Sequence, residues 1–153
     1  MRKIARRLFS FKQKERIQKK DSFPKYSILL AEDNLLVLRA IKNLLEQQGY
    51  RVKAVEDGVQ ALSYLKSYTY KWALLDLVLP ETDGIDLVQN YRDWEKETNK
   101  SYLPVFALTG YPFKSMERIC KEAGIDFLFE KPFKIDDLKV IEDLIKALEK
   151  TKK

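Results

Sequence analysis

The chain has 153 residues, a formal net charge of +6, one cysteine and no histidine. An intrachain disulfide, a two-cysteine zinc or redox motif, a His-based triad and a His-ligated metal are therefore excluded. No apolar run is long enough to cross a bilayer and the N-terminus lacks the apolar stretch of a secretory signal, so the expected compartment is the cytoplasm.

The charge is unevenly spread. Residues 1–26 hold ten Lys or Arg against Glu15 and Asp21, a net of +8, which leaves −2 for the remainder. In this arm Ile4, Leu8 and Phe11 recur near helical spacing among basic residues. That pattern suits an anionic membrane surface, a nucleic acid or a partner protein, and it equally suits a solvated extension. Phe23-Pro24 marks its end. The expected division is a basic arm over 1–25, a folded domain over 26–150 and a basic tail over 151–153.

Ser27 to Ala31 reads as a first strand, with Glu32-Asp33-Asn34 directly after it. Leu35, Leu38, Ile41, Leu44 and Leu45 give a first helix, closed by Gly49. Arg51 to Val55 is a second strand, followed by Glu56-Asp57-Gly58 and a short helix from Val59 to Tyr68. Trp72 to Leu75 is a short apolar run of the kind buried on both faces of a sheet, and Asp76 ends it. A loop marked by Pro80 and Asp83-Gly84 leads to a third helix from Asp83 to Trp94, with Asp83 at or near its N-cap. A polar connection follows. Pro104 to Leu108 is a fourth strand with Thr109 beyond it, and Ser115 to Ala123 is a fourth helix ending at Gly124. Asp126 to Phe129 is a fifth strand, followed by Glu130-Lys131-Pro132-Phe133. Asp136 and Asp137 open a last helix through Leu138, Ile141, Leu144, Ile145 and Leu148.

Strands alternating with helices over short loops predict an α/β fold, a parallel sheet covered on both faces. In such a sheet every strand C-terminus lies on one edge, where ligands bind. That edge receives Glu32, Asp33, Asp76, Thr109 and Lys131. Taken singly, each has a plain structural role: Glu32 and Asp33 as helix caps, Thr109 as a loop cap, Lys131 as a solvated lysine. Arriving together, they form an oxygen-rich cation site beside a hydroxyl and an ammonium suited to phosphoryl oxygens. Three neighbouring carboxylates also predict at least one raised pKa without a cation. Mg2+ is the expected ion, and a carboxylate in this setting is a nucleophile able to form an aspartyl phosphate.

The segments Leu30-Ala31-Glu32-Asp33-Asn34, Leu75 to Gly84, Ala107-Leu108-Thr109-Gly110 and Lys131-Pro132-Phe133 resemble the response-regulator receiver domain of two-component phosphorelays. The resemblance covers about Lys25 to Lys150. It implies a flavodoxin-like, doubly wound five-stranded parallel sheet of order 2-1-3-4-5 with five helices, an order that general fold rules already illustrate with a receiver. It also implies that Asp76 accepts a phosphoryl group from a histidine kinase or a histidine phosphotransfer domain. Asp33, Asp76 and the main-chain carbonyl of Val78 would hold Mg2+, with Glu32 acting through water. Lys131 would pair with phosphoryl oxygens, and Thr109 would swing inward and move the face built by the fourth helix, fifth strand and fifth helix.

The chain departs from the family pattern at several positions. Glu32 stands at an acidic position where Asp is also common, and Gly110 where Ala is frequent. Leu128 stands where receivers often carry an aromatic. Val78, two residues after Asp76, and Tyr111, two after Thr109, offer no carboxylate or amide to orient an attacking water, which predicts a long-lived phosphoryl group. No turnover of a separate substrate is expected. A Mg2+-dependent phosphohydrolase, which would want an acid at position 78, and a docking module with idle chemistry are the competing readings.

Overall fold

The computed structural model describes residues 27–151. The basic arm and the last two residues of the basic tail lie outside the described residues.

Five strands form one sheet: β1 (Ile28–Ala31), β2 (Val52–Val55), β3 (Trp72–Asp76), β6 (Val105–Thr109) and β7 (Phe127–Glu130). Their order is β2-β1-β3-β6-β7 and every pairing is parallel. The expected sheet is therefore present. Four helices connect these strands, α1 (Leu35–Gln47), α2 (Gly58–Ser67), α3 (Gly84–Glu97) and α4 (Phe113–Ala123), and a fifth, α5 (Ile135–Thr151), follows the last strand.

Alternation along the strands divides the core in two. Leu29, Ala31, Ala73, Leu75, Val105 and Ala107 point to one face, against Leu65 of α2, Leu87 and Tyr91 of α3 and Cys120 of α4. Ile28, Leu30, Trp72, Leu74, Phe106 and Leu108 point to the other, against Leu38, Ile41 and Leu45 of α1 and Leu138 and Ile141 of α5. With both faces covered, β1 and β3 are buried at every position, which is why they read as unbroken apolar runs.

The helix starts follow from short polar caps. Asn34 Oδ1 accepts from the N–H groups of Leu36 and Val37. Asp57 Oδ1 accepts from Gln60 and Asp83 Oδ1 from Ile85. Gly49 and Gly124 follow α1 and α4 in the left-handed region, at φ of 91° and 97°.

One stretch differs from expectation. The sequence predicts a plain loop after Asp76, whereas Val78–Leu79 (β4) and Thr82–Asp83 (β5) pair as a two-residue antiparallel ribbon. Pro80 and Glu81 make its turn, with Glu81 at φ 63°. Proline followed by a residue of positive φ is the pattern of a type II turn. Too short to show an apolar period, the ribbon is invisible to pattern reading.

No helix among the described residues is long and apolar enough to cross a membrane.

Candidate functional site

The C-terminal edge of the sheet gathers the predicted residues. Asn34, not Glu32 or Asp33, caps α1, because the free N–H groups of the first turn lie two and three residues beyond the cap. Both acids are thereby left for another role. Glu32 is 1% exposed. Its main-chain N–H donates to Val55 O at 3.1 Å, and its Oε1 accepts from the Asn34 N–H at 3.2 Å. Asp33 is exposed beside it.

Asp76 closes β3 and is buried. Its Oδ1 accepts from the Val78 N–H at 3.0 Å. Its Oδ2 accepts from Lys131 Nζ at 2.6 Å. The same ammonium lies 3.2 Å from Glu32 Oε2. Lys131 thus bridges acids supplied by two different strand ends. Its own backbone is fixed by donation from its N–H to Thr109 O at 2.9 Å, and the Lys131-Pro132 peptide is cis.

Carboxylate oxygens of Glu32, Asp33 and Asp76 lie within 4.8 Å of one another. Burial, and then the charge of Asp76, push the Glu32 carboxyl above its ordinary range. This is the shift expected of crowded acids without a cation. For Lys131, burial pulls the ammonium down, but the hydrogen bond and charge of Asp76, followed by the charge of Glu32, outweigh it and the net shift is upward. Glu32 Oε2 has no hydrogen-bond donor of proper geometry among the described residues; the ammonium at 3.2 Å is a charge contact only.

One ammonium against three carboxylates, with a buried oxygen left short of a donor, is a set that a hard divalent cation completes. The donors are all oxygen, which is the chemistry of Mg2+ rather than of a thiolate- or imidazole-bound metal.

Thr109 is buried at the end of β6. Its Oγ1 accepts from the Tyr111 N–H at 3.0 Å, a local turn that turns the hydroxyl toward its own loop. Val78 and Tyr111 are each 58% exposed and flank this edge. Leu128 packs into the core face shared with α3 and α4. The neighbouring rings take the other course: Phe129 joins the opposite core face, and Phe127 is packed beside it at 4.8 Å between ring centroids.

Two residues that shape the site are more than the turn markers they look like in sequence. A Cβ on Gly84 would lie 2.8 Å from Leu77 Cα and 2.9 Å from Leu77 O. The Gly84 N–H donates to that same carbonyl at 3.0 Å. The start of α3 therefore presses directly on the backbone just after Asp76. Gly58 is similarly crowded, since its Cβ would meet Thr82 Cβ at 2.5 Å. The only signal for either in sequence is an Asp-Gly pair.

The chain has relatives among known proteins. The family model described as the response regulator receiver domain matches residues 28–142. The peroxide stress-activated histidine kinase mak3 of Schizosaccharomyces pombe is 36% identical over 114 residues, covering 72% of this chain and 5% of that protein. Sensor protein GacS of Pseudomonas syringae pv. syringae is 33% identical, covering 69% of this chain and 12% of its own length. The chain thus spans only a small part of these curated relatives. Among solved structures, the receiver domain of a sensor histidine kinase from Pseudomonas aeruginosa PAO1, with a magnesium ion coordinated in its active-site cleft, aligns with a TM-score of 0.69 and 33% identity, covering 79% of this chain and 98% of that one.

Proposed function

The chain belongs to the response-regulator receiver family, and from that membership and the site's geometry we propose that it is a phosphoacceptor whose acceptor residue is Asp76. The donor is a phosphohistidine on a sensor histidine kinase or a histidine phosphotransfer domain in the cytoplasm. An oxygen of Asp76 attacks phosphorus, the P–N bond to the donor imidazole breaks, and its electron pair returns to the ring nitrogen. The observation that carries this reading is the Lys131 ammonium, 2.6 Å from Asp76 and 3.2 Å from Glu32. It couples the acceptor to the acidic pair and is positioned to follow the charge onto a phosphoryl oxygen.

Glu32, Asp33, Asp76 and the main-chain carbonyl of Val78 are the proposed Mg2+ ligands, Glu32 through water. Bound there, Mg2+ would neutralise charge on the acidic pair and the incoming phosphoryl group. The Thr109 hydroxyl then exchanges its bond from the Tyr111 N–H for one to a phosphoryl oxygen, shifting the β6–α4 connection and with it the surface of α4, β7 and α5.

Acetyl phosphate with Mg2+ tests the assignment. Wild-type protein is expected to gain one acid-stable, hydroxylamine-labile phosphoryl group, and Asp76→Asn none. Equal labelling of the two proteins would overturn it.

A further inference from the structure

Beside the proposed phosphoacceptor lies a groove of about 510 Å3 between the β4–β5 ribbon and α4. Leu79, Ile85, Met116 and Ile119 give it apolar walls, and both charged residues lining it, Glu81 and Asp83, are acidic. Val78 and Tyr111 stand at its mouth, each 58% exposed, and Ile119 is 48% exposed. An apolar trough with an acidic rim calls for an occupant that is apolar on one side and basic on the other. Two other surface grooves lack one half of that chemistry. The one beside Tyr50 and Trp72 has lysines as well as glutamates on its rim. The one between α2 and α3 is acidic, with Trp94 as its one large apolar residue.

We propose that this groove is the docking site of the chain's own basic arm, with Ile4, Leu8 and Phe11 in the trough and the flanking Arg and Lys side chains toward Glu81 and Asp83. The three apolar residues recur at helical spacing, and the basic residues around them supply the opposite charge to the rim. The chain is long enough. Residues 12–26 extend to about 50 Å at the usual rise of an extended chain, against a diameter of about 35 Å for a compact domain of this size. A tethered segment also needs little intrinsic affinity, because its effective concentration is high.

Val78 follows Asp76 by two residues and donates its N–H to that carboxylate. Tyr111 donates its N–H to the Thr109 hydroxyl. The groove thus adjoins the site proposed above, but the docking does not rest on that function.

A nitroxide on Ser10→Cys in the otherwise intact chain tests the docking. Ser10 lies off the Ile4–Leu8–Phe11 stripe, and the native Cys120 is buried and so protected from labelling. The expected result is a selective loss of amide signal in residues 78–85 and 111–119. Adding Ile119→Lys, at an exposed position that tolerates the change, restores those signals. Absence of broadening at the groove, broadening confined to another surface, or persistence after Ile119→Lys overturns the proposal. So does broadening that arises only when a spin-labelled chain is mixed with a separate isotope-labelled one, since the occupant is then a second copy. Selective broadening in a protein that acetyl phosphate fails to label would leave the docking standing and remove the assignment of Asp76.

Discussion

Gly84 shows how one absent carbon positions the chemistry. Alanine there must push α3 away from Leu77 or displace the backbone beside Asp76, because the obstructing atoms are main chain and cannot rotate aside. Gly84→Ala is expected to cost about 1–3 kcal/mol and to slow labelling of Asp76 by acetyl phosphate. An unchanged melting temperature together with an unchanged labelling rate would show that the close approach is unimportant. The flanking residues set a second expectation. Val78 and Tyr111 are exposed but carry no carboxylate or amide to orient an attacking water, so the phosphorylated protein should lose its label over minutes to hours; a half-life of seconds would contradict this. The acids, Thr109 and Lys131 were legible because each follows a readable strand, and strand ends share an edge. Gly84 was legible only as a turn, since its contact with Leu77 is made in packing and leaves no local pattern. The capping role of Asn34 was likewise open in a run of three consecutive acceptors, and the positions of the free N–H groups decided it.

Helix α3 is anchored by a buried polar network rather than by apolar residues alone. Arg92 donates to both oxygens of Glu95 at 3.0 and 3.1 Å, to Asp126 Oδ2 at 3.2 Å and to Gly124 O at 2.9 and 3.0 Å. Glu95 Oε2 also accepts from the Leu103 N–H, and Asp126 Oδ2 from the Val105 N–H. One guanidinium therefore ties α3 to the end of α4 and to the segments entering β6 and β7. The side chains of Arg92, Glu95 and Asp126 are 11%, 7% and 14% exposed, so removing the cation strands two acids away from water. Arg92→Ala should cost about 3–5 kcal/mol, the usual penalty for breaking one side of a buried pair. Thermal unfolding reads this directly, and a loss below about 1 kcal/mol, the value of an exposed pair, would refute the account. This network also explains a boundary the sequence missed. The apolar period runs out near Trp94, and the residues after it read as a polar connection, yet α3 continues to Glu97. Glu95 is inside because of its partners, and hydrophobic periodicity cannot report a burial that depends on pairing.

Across the whole molecule, the sheet order was accessible because each strand was a short apolar run, each crossover was a helix, and four motifs fell at strand ends. What pattern reading could not supply was distance: the separation of Lys131 from Glu32 and Asp76 is a product of the closed sheet, not of any one segment. The same closure links cation binding to global stability. Asp33, Glu32 and Asp76 come together only when β1 and β3 pair, so Mg2+ at the proposed site would bind the folded chain in preference to the unfolded one. At a hundredfold excess over its dissociation constant it should add about 2.7 kcal/mol, or about 10 °C for a domain of this size. Glu32 sets the pH dependence. Burial, and then the charge of Asp76, raise its folded pKa above the ordinary glutamate value. Without a cation, its contribution to stability is therefore full below that value and is lost as pH rises through the raised folded pKa. With Mg2+ the proton becomes a competitor. The rise in melting temperature caused by Mg2+ should be largest at neutral pH and shrink as the pH falls into the range where Glu32 takes up its proton. Asp33→Asn, at an exposed position, should remove most of that rise without lowering the metal-free melting temperature. An increment independent of pH, or equal in wild type and Asp33→Asn, would place the cation elsewhere on the molecule.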